Sequence, residues 1–222
     1  MIDRLTWLHV SDFHFKSSGD RFSQTVACQA LLNDVAARAE STSLSFVLVS
    51  GDIAYSGQPG EYALAAEFLS KLSACLSIDP SRFFFVPGNH DVDRALHDFA
   101  QIGARQVLRS QSTVDQALGD AARMKDLTDR QGAYRAFVEK FTGGQERTAT
   151  PDGLGYVAPV TVEAVTVAIV ALNSAWLCGP SEEEKTLIIG ERQLIAALAL
   201  VRDIDPQLVL AMTHHPLEWL AE

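Results

Sequence analysis

Crosslinking and membrane-spanning chemistry are both scarce in this 222-residue chain. Cys28, Cys75 and Cys178 are widely spaced and odd in number. That argues against a disulfide framework or a cysteine zinc cluster and reads as reduced core thiols of a cytoplasmic protein. No apolar run approaches the roughly 18–20 residues of a membrane span. The opening stretch MIDRLTWLHVSD lacks the basic start and long apolar core of a signal peptide. Positive charge is short as well. Against 28 Asp and Glu stand 18 Lys and Arg, a formal charge of −10, which disfavours a broad nucleic-acid-binding face. A phosphate ligand would need something other than lysine to neutralise it. Repeats and low-complexity tracts are absent.

What is present suits one sizeable α/β domain, with 47% hydrophobic and 21% charged residues. Apolar runs at 5–10, 46–50, 83–86, 165–172 and 208–212 are expected to be strands, and their near-continuous hydrophobicity fits burial on both faces. Stripes at Cys28, Leu31, Leu32, Val35 and Ala39, then at Tyr62, Ala65, Leu69, Leu72 and Leu76, mark core-facing helices; Leu194, Leu198 and Val201 mark a third. Strand and helix alternate over 5–86, which implies crossover units and a largely parallel sheet. Residues 94–155 break the rhythm and read as an insertion, with helices at 94–109, 115–127 and 131–141 and a loop at 142–155. An antiparallel pair is expected at 156–160 and 165–172. Glu182–Glu184 reads as a solvated acidic triplet, and His9 and His97 as a core and a surface residue.

The strands end alike. Run 5–10 leads into Ser11-Asp12-Phe13-His14, run 46–50 into Gly51-Asp52, and run 83–86 into Pro87-Gly88-Asn89-His90-Asp91. Run 165–172 leads into Asn173-Ser174, and run 208–212 into Thr213-His214-His215-Pro216. In open α/β sheets the carboxyl ends of the strands converge on the ligand crevice. Alone, Asp12-x-His14 and Gly51-Asp52 read as a cap and a turn, whereas three consecutive side chains able to ligate or transfer protons in Gly88-Asn89-His90-Asp91 are unusual by themselves. Together they bring carboxylates, imidazoles and amides to one rim, which is metal-ligand chemistry. Asp12 and His14, two apart on an extended segment, should point to the same side.

These motifs resemble the calcineurin-like metallophosphoesterase family, whose pattern runs D-x-H, G-D, G-N-H-D/E, a late histidine and then G-H-x-H. The first four are here as Asp12-Phe13-His14, Gly51-Asp52, Gly88-Asn89-His90-Asp91 and His214. The stretch GDIAYSGQPGEYALAAEFL (51–69) looks like the cyclic-nucleotide phosphodiesterase branch. The resemblance spans 5–93 and 165–217 and implies a layered sandwich of two mixed β-sheets flanked by helices, with residues 1–222 one domain and the helical insertion 94–155 lying outside the likeness. It also implies two divalent ions, Mn, Fe or Zn. Asp12 and His14 would hold one, Asn89 and His214 the other, with Asp52 between them. His90 would act on the substrate with Asp91 orienting its ring, while His215 and Asn173 would stand beside the site or face the substrate. The activity implied is hydrolysis of a phosphate ester, a diester or nucleotide before a monoester. A non-catalytic scaffold or sensor, or a nuclease, is the alternative. None of the six histidines (9, 14, 90, 97, 214, 215) lies in a G-H-x-H. The expectation is therefore that 1–222 is a piece of a longer protein with a further C-terminal part.

Overall fold

The computed structural model describes residues 4–19, 21–39, 41–96, 99–143, 146–179 and 184–221. Strands β1 (Trp7–Val10), β2 (Phe46–Val49) and β3 (Phe83–Phe85) pair in that order, all parallel. Parallel neighbours need long crossovers, supplied by α1 (Phe22–Ala39) and α2 (Pro59–Leu76). Pro59 sits in the first turn of α2, where its missing N–H costs nothing. The buried Glu61 carboxylate fixes the approach, accepting from Ser56 N and Ser56 Oγ at 2.9 Å and from Gln58 N at 3.1 Å.

Every residue of β2 is buried because its two faces serve two layers. Val47 and Val49, with Phe83 and Phe85 of β3, pack against the helices. Phe46 and Leu48, with Phe84 and Val86, meet the second sheet through Val160, Ile169, Ala171 and Met212. That sheet is mixed. Strands β4 (Thr148–Ala149), β5 (Tyr156–Val162) and β6 (Val165–Ala171) are antiparallel neighbours, and β7 (Leu208–Met212) joins β6 in parallel. The crossover before β7 includes α7 (Glu191–Ile204), which covers the outer face of the second sheet at Val157, Ala168, Val170 and Leu172. The result is helices, sheet, sheet, helix: the two-sheet sandwich expected, with its first sheet parallel throughout.

The free edge of β3 is closed by side chains. Tyr156 Oη accepts from Phe85 N (2.8 Å) and donates to Phe85 O (3.0 Å), while Arg147 donates to Phe83 O (2.8 Å).

Residues 94–155 hold more breaks than expected. The helix expected at 94–109 is a 3₁₀ turn at Arg94–Leu96 followed by α3 (Phe99–Val107). The helix expected at 115–127 is two, α4 (Gln111–Leu118) and α5 (Ala121–Thr128). The Asp120 carboxylate accepts from Ala122 N and Arg123 N at 3.1 Å each and starts a new helix there. Next comes α6 (Gly132–Thr142), which joins the helical layer: the Phe137 ring lies 5.2 Å from Tyr62 and 5.7 Å from Phe85. Residues of α4 and α5 instead gather with Trp176 and Leu177 in a separate cluster. His9 is a correction: on edge strand β1 it is exposed, its Nε2 2.7 Å from Ser50 Oγ. His97 lies outside the described residues, as do Glu182 and Glu183; Glu184 is exposed. Among the described residues no helix is long and apolar enough to cross a membrane.

Candidate metal centre

Beyond β1 and β2 the chain stays paired but leaves strand conformation. Asp12 N donates to Gly51 O (3.1 Å), His14 N to Asp52 O (2.9 Å) and Phe15 N to Ile53 O (2.9 Å). Asp12, His14 and Asp52 are all left-handed, with φ of 59°, 48° and 53°. Such residues cost about 1–3 kcal/mol each and persist where surrounding structure imposes them. Asp12 and His14 therefore reach one site through left-handed turns, and not through the strand alternation expected from their spacing.

Asp52 is the meeting point. His14 Nε2 lies 3.6 Å from Asp52 Oδ2 and 3.8 Å from Asp12 Oδ1, and His214 Nε2 lies 3.5 Å from Asp52 Oδ1. Asp52 Oδ1 also accepts from His90 N at 2.8 Å. Potential ligand atoms of His14, Asp52 and His90 all fall within 4.8 Å of one another, and so do those of Asp12, Asp52 and His214. Residues from β1, β2, β3 and β7 ends thus converge as expected. Asn89 lies in the 3₁₀ turn Asn89–Asp91, half-buried beside His90.

Backbone carbonyls set two of the imidazoles. His214 Nδ1 is 2.7 Å from Ser50 O and His90 Nδ1 is 2.6 Å from Tyr55 O. A carbonyl only accepts, so Nδ1 carries the proton and Nε2 keeps its lone pair in the neutral ring. His14 differs, its buried Nδ1 having no hydrogen-bond partner among the described residues. Burial lowers the His14 pKa against the opposing pull of Asp52, with His90 lowering it further. A neutral imidazole is the ligating form.

Asp91 does not orient His90. It is fully buried, and its oxygens accept from Gly88 N (2.9 Å), Ala54 N (2.9 Å), Ile53 N (3.2 Å) and Tyr62 Oη (3.0 Å). It clamps the turn after β3 to the turn after β2. Burial pushes its carboxyl up to about 6.

Asn173 is a second correction. Its Nδ2 donates to Gln131 Oε1 (2.8 Å), its Oδ1 accepts from Ala175 N (2.9 Å), and its N donates to Gln193 Oε1 (2.7 Å). With both ends of the amide used and 4% exposure, it knots the end of β6 instead of facing a substrate. His215 stands behind the site, 4% exposed, with Nδ1 2.8 Å from Ser174 Oγ and its ring centroid 4.6 Å from that of His214. Burial, then His214, pushes its pKa down to about 4.

Sequence reasoning missed the carbonyls of Ser50 and Tyr55, since backbone groups leave no sequence signal. It also took Tyr62 as a packing residue. Tyr62 is buried but holds Asp91, and Tyr55 is 45% exposed.

The model of the calcineurin-like phosphoesterase family matches residues 5–153, more than half of the chain. That stretch includes most of 94–155 and stops before β6 and β7. An uncharacterized metallophosphoesterase-like protein of Bacillus subtilis (strain 168), YydB, is 22% identical over 217 residues. The alignment covers 96% of this chain and 43% of that protein, so the chain spans less than half the length of this curated relative. With its motifs at the ends of paired strands and the family model matched across the first three of them, the chain belongs to the calcineurin-like phosphoesterase family.

Proposed function

We propose that this chain carries a metal-dependent hydrolase of phosphate esters, acting on phosphodiesters with two divalent cations. The sharing of Asp52 carries the reading. One oxygen of this buried carboxylate faces His14 and the other faces His214, each within 3.6 Å. Two donor sets joined at one carboxylate suit a pair of ions. Mixed imidazole, carboxylate and amide donors favour Mn, Fe or Zn over Ca. Asp12 and His14 would hold the first ion, Asn89 and His214 the second, and Asp52 both. Bound there, such ions supply Lewis acidity toward the phosphoryl oxygens and a water acidic enough to attack at neutral pH.

The chain's own residues do the rest. Asp12 and Asp52 balance the cation charge, and the cations in turn let a chain of charge −10 hold an anion. Tyr55 O fixes the His90 ring by its Nδ1 proton. A second proton at Nε2 makes His90 a donor to a phosphoryl or leaving-group oxygen. Asp91 holds the turn on which His90 sits. In this reading 1–222 is one domain, with 94–155 inserted in it.

The test is turnover of an aryl phosphodiester by manganese-loaded protein, with metal content measured alongside. Activity lost in Asp52→Asn supports the proposal. The alternative is a non-catalytic scaffold or sensor. Metal retention without turnover, in the full-length protein and with several metals, would support it.

A further inference from the structure

We infer that Tyr55, with Lys16, recognises the organic half of the ester, and that its ligand is a planar aromatic group such as a nucleobase. The inference rests on the phosphoesterase reading for where the phosphoryl group lies. Ile53 and Ala54 are fully buried, whereas Tyr55 immediately after them is 45% exposed. Its backbone is pinned on both sides: Tyr55 N donates to Phe15 O (3.1 Å), and Tyr55 O faces His90 Nδ1. The neighbours are already covered, so the ring stands out without filling the core. Its centroid lies 5.5 Å from the His90 ring and 6.4 Å from the His14 ring, which places it on the rim of the ligand cluster.

Lys16 Nζ lies 4.1 Å from the Tyr55 ring centroid. A cation on an exposed ring changes an equilibrium constant about two- to fivefold. Stacking of a base on an aromatic side chain changes it about 5- to 150-fold. A base therefore outcompetes the ammonium for the ring face. The displaced lysine has a flexible four-carbon stem and a charge suited to the phosphate beside it. An aromatic face and a mobile cation next to a cluster of metal-type ligands together match a nucleoside phosphate better than an alkyl ester.

The test compares binding of AMP and ribose 5-phosphate, which share a phosphate and differ by the base, to the manganese-loaded full chain by calorimetry. AMP is expected to bind about 5- to 150-fold more tightly. Tyr55→Ala should bring that ratio near one and Tyr55→Phe should keep it, while Lys16→Ala weakens both ligands by a similar factor. Equal affinities in the wild type, no binding of either ligand, or a ratio unchanged in Tyr55→Ala overturns the inference. Turnover of an aryl phosphodiester by the same wild-type preparation separates the two claims. An unchanged ratio with turnover present defeats this inference alone. A Tyr55-dependent ratio without turnover supports it and defeats the hydrolase reading.

Discussion

A β-carbon on Gly88 would lie 2.5 Å from Asp52 N and closer still to Asp52 Oδ1. The neighbour is backbone and a buried carboxylate, so neither can swing aside. Gly88→Ala should push Asp52 off the His90 N–H, destabilise the fold by about 1–3 kcal/mol and abolish retention of divalent metal. Thermal melting and metal analysis check both. Gly103 in α3 is the control: an added β-carbon there meets nothing within 4 Å among the described residues, and Gly103→Ala should stabilise by about 0.5–1 kcal/mol.

Cations should stabilise the folded chain by mass action. Manganese at about 100 times its dissociation constant contributes about 2.7 kcal/mol. For a chain of this length, that corresponds to a rise of roughly 5–10 °C in melting temperature. Asp52→Asn should show almost none of this rise, and a chelator should reverse it in the wild type. An equal rise in Asp52→Asn would mean the ions bind elsewhere.

Two buried groups give the metal-free protein opposing pH dependences. His215, lowered from 6.5 to about 4, contributes stability above pH 6.5 that is lost as pH falls toward 4, because the unfolded ring takes up a proton first. Asp91, raised from 3.8 to about 6, contributes stability below pH 3.8 that is lost as pH rises through 6, because the folded carboxyl holds its proton longer. Urea midpoints between pH 4 and 7 should therefore fall less steeply on acidification in His215→Gln than in the wild type. In Asp91→Asn they should fall more steeply.

The two tyrosines near the site should separate cleanly. Tyr62→Phe removes a donor to a buried charge while keeping the ring stacked on Phe137, and should cost about 1.5–3 kcal/mol in urea unfolding. Tyr55→Phe, on the exposed rim, should stay within about 0.5 kcal/mol of the wild type.

The site was legible where side chains of metal-ligand type close a strand, as at Asp12, His14, Asp52, His90 and His214. It was not legible where the backbone path decides direction. His90 and Asp91 are neighbours, yet within one 3₁₀ turn His90 faces the cluster while Asp91 turns inward to the amides of residues 53, 54 and 88. Asn173 read as standing beside the site or facing the substrate, but Gln131 and Gln193, remote in sequence, claim its polar groups; such pairing leaves no periodic trace. His9 was placed inside because an apolar run does not reveal which strand will be at the sheet edge. The parallel first sheet was readable from its buried runs and crossovers, whereas the two-sheet sandwich was implied only by the resemblance of the motifs. The break at Gly119–Asp120 did leave a trace, a glycine followed by a capping aspartate, but the helix-favouring residues flanking that pair outweighed it.

Left-handed backbone at Asp12, His14 and Asp52 also governs how this site can decay in evolution. Glycine at any of the three would relax the chain, so drift toward a more comfortable backbone is opposed by the loss of cation binding and, at Asp52 alone, by the His90 N–H left unpaired. Asp91 is under the opposite constraint, since four donors would be orphaned by its removal whether or not cations are used. Descendants that have abandoned catalysis should therefore erode at 12, 14 and 52 while keeping an acid at 91, a signature that would tell a retired copy from a working one.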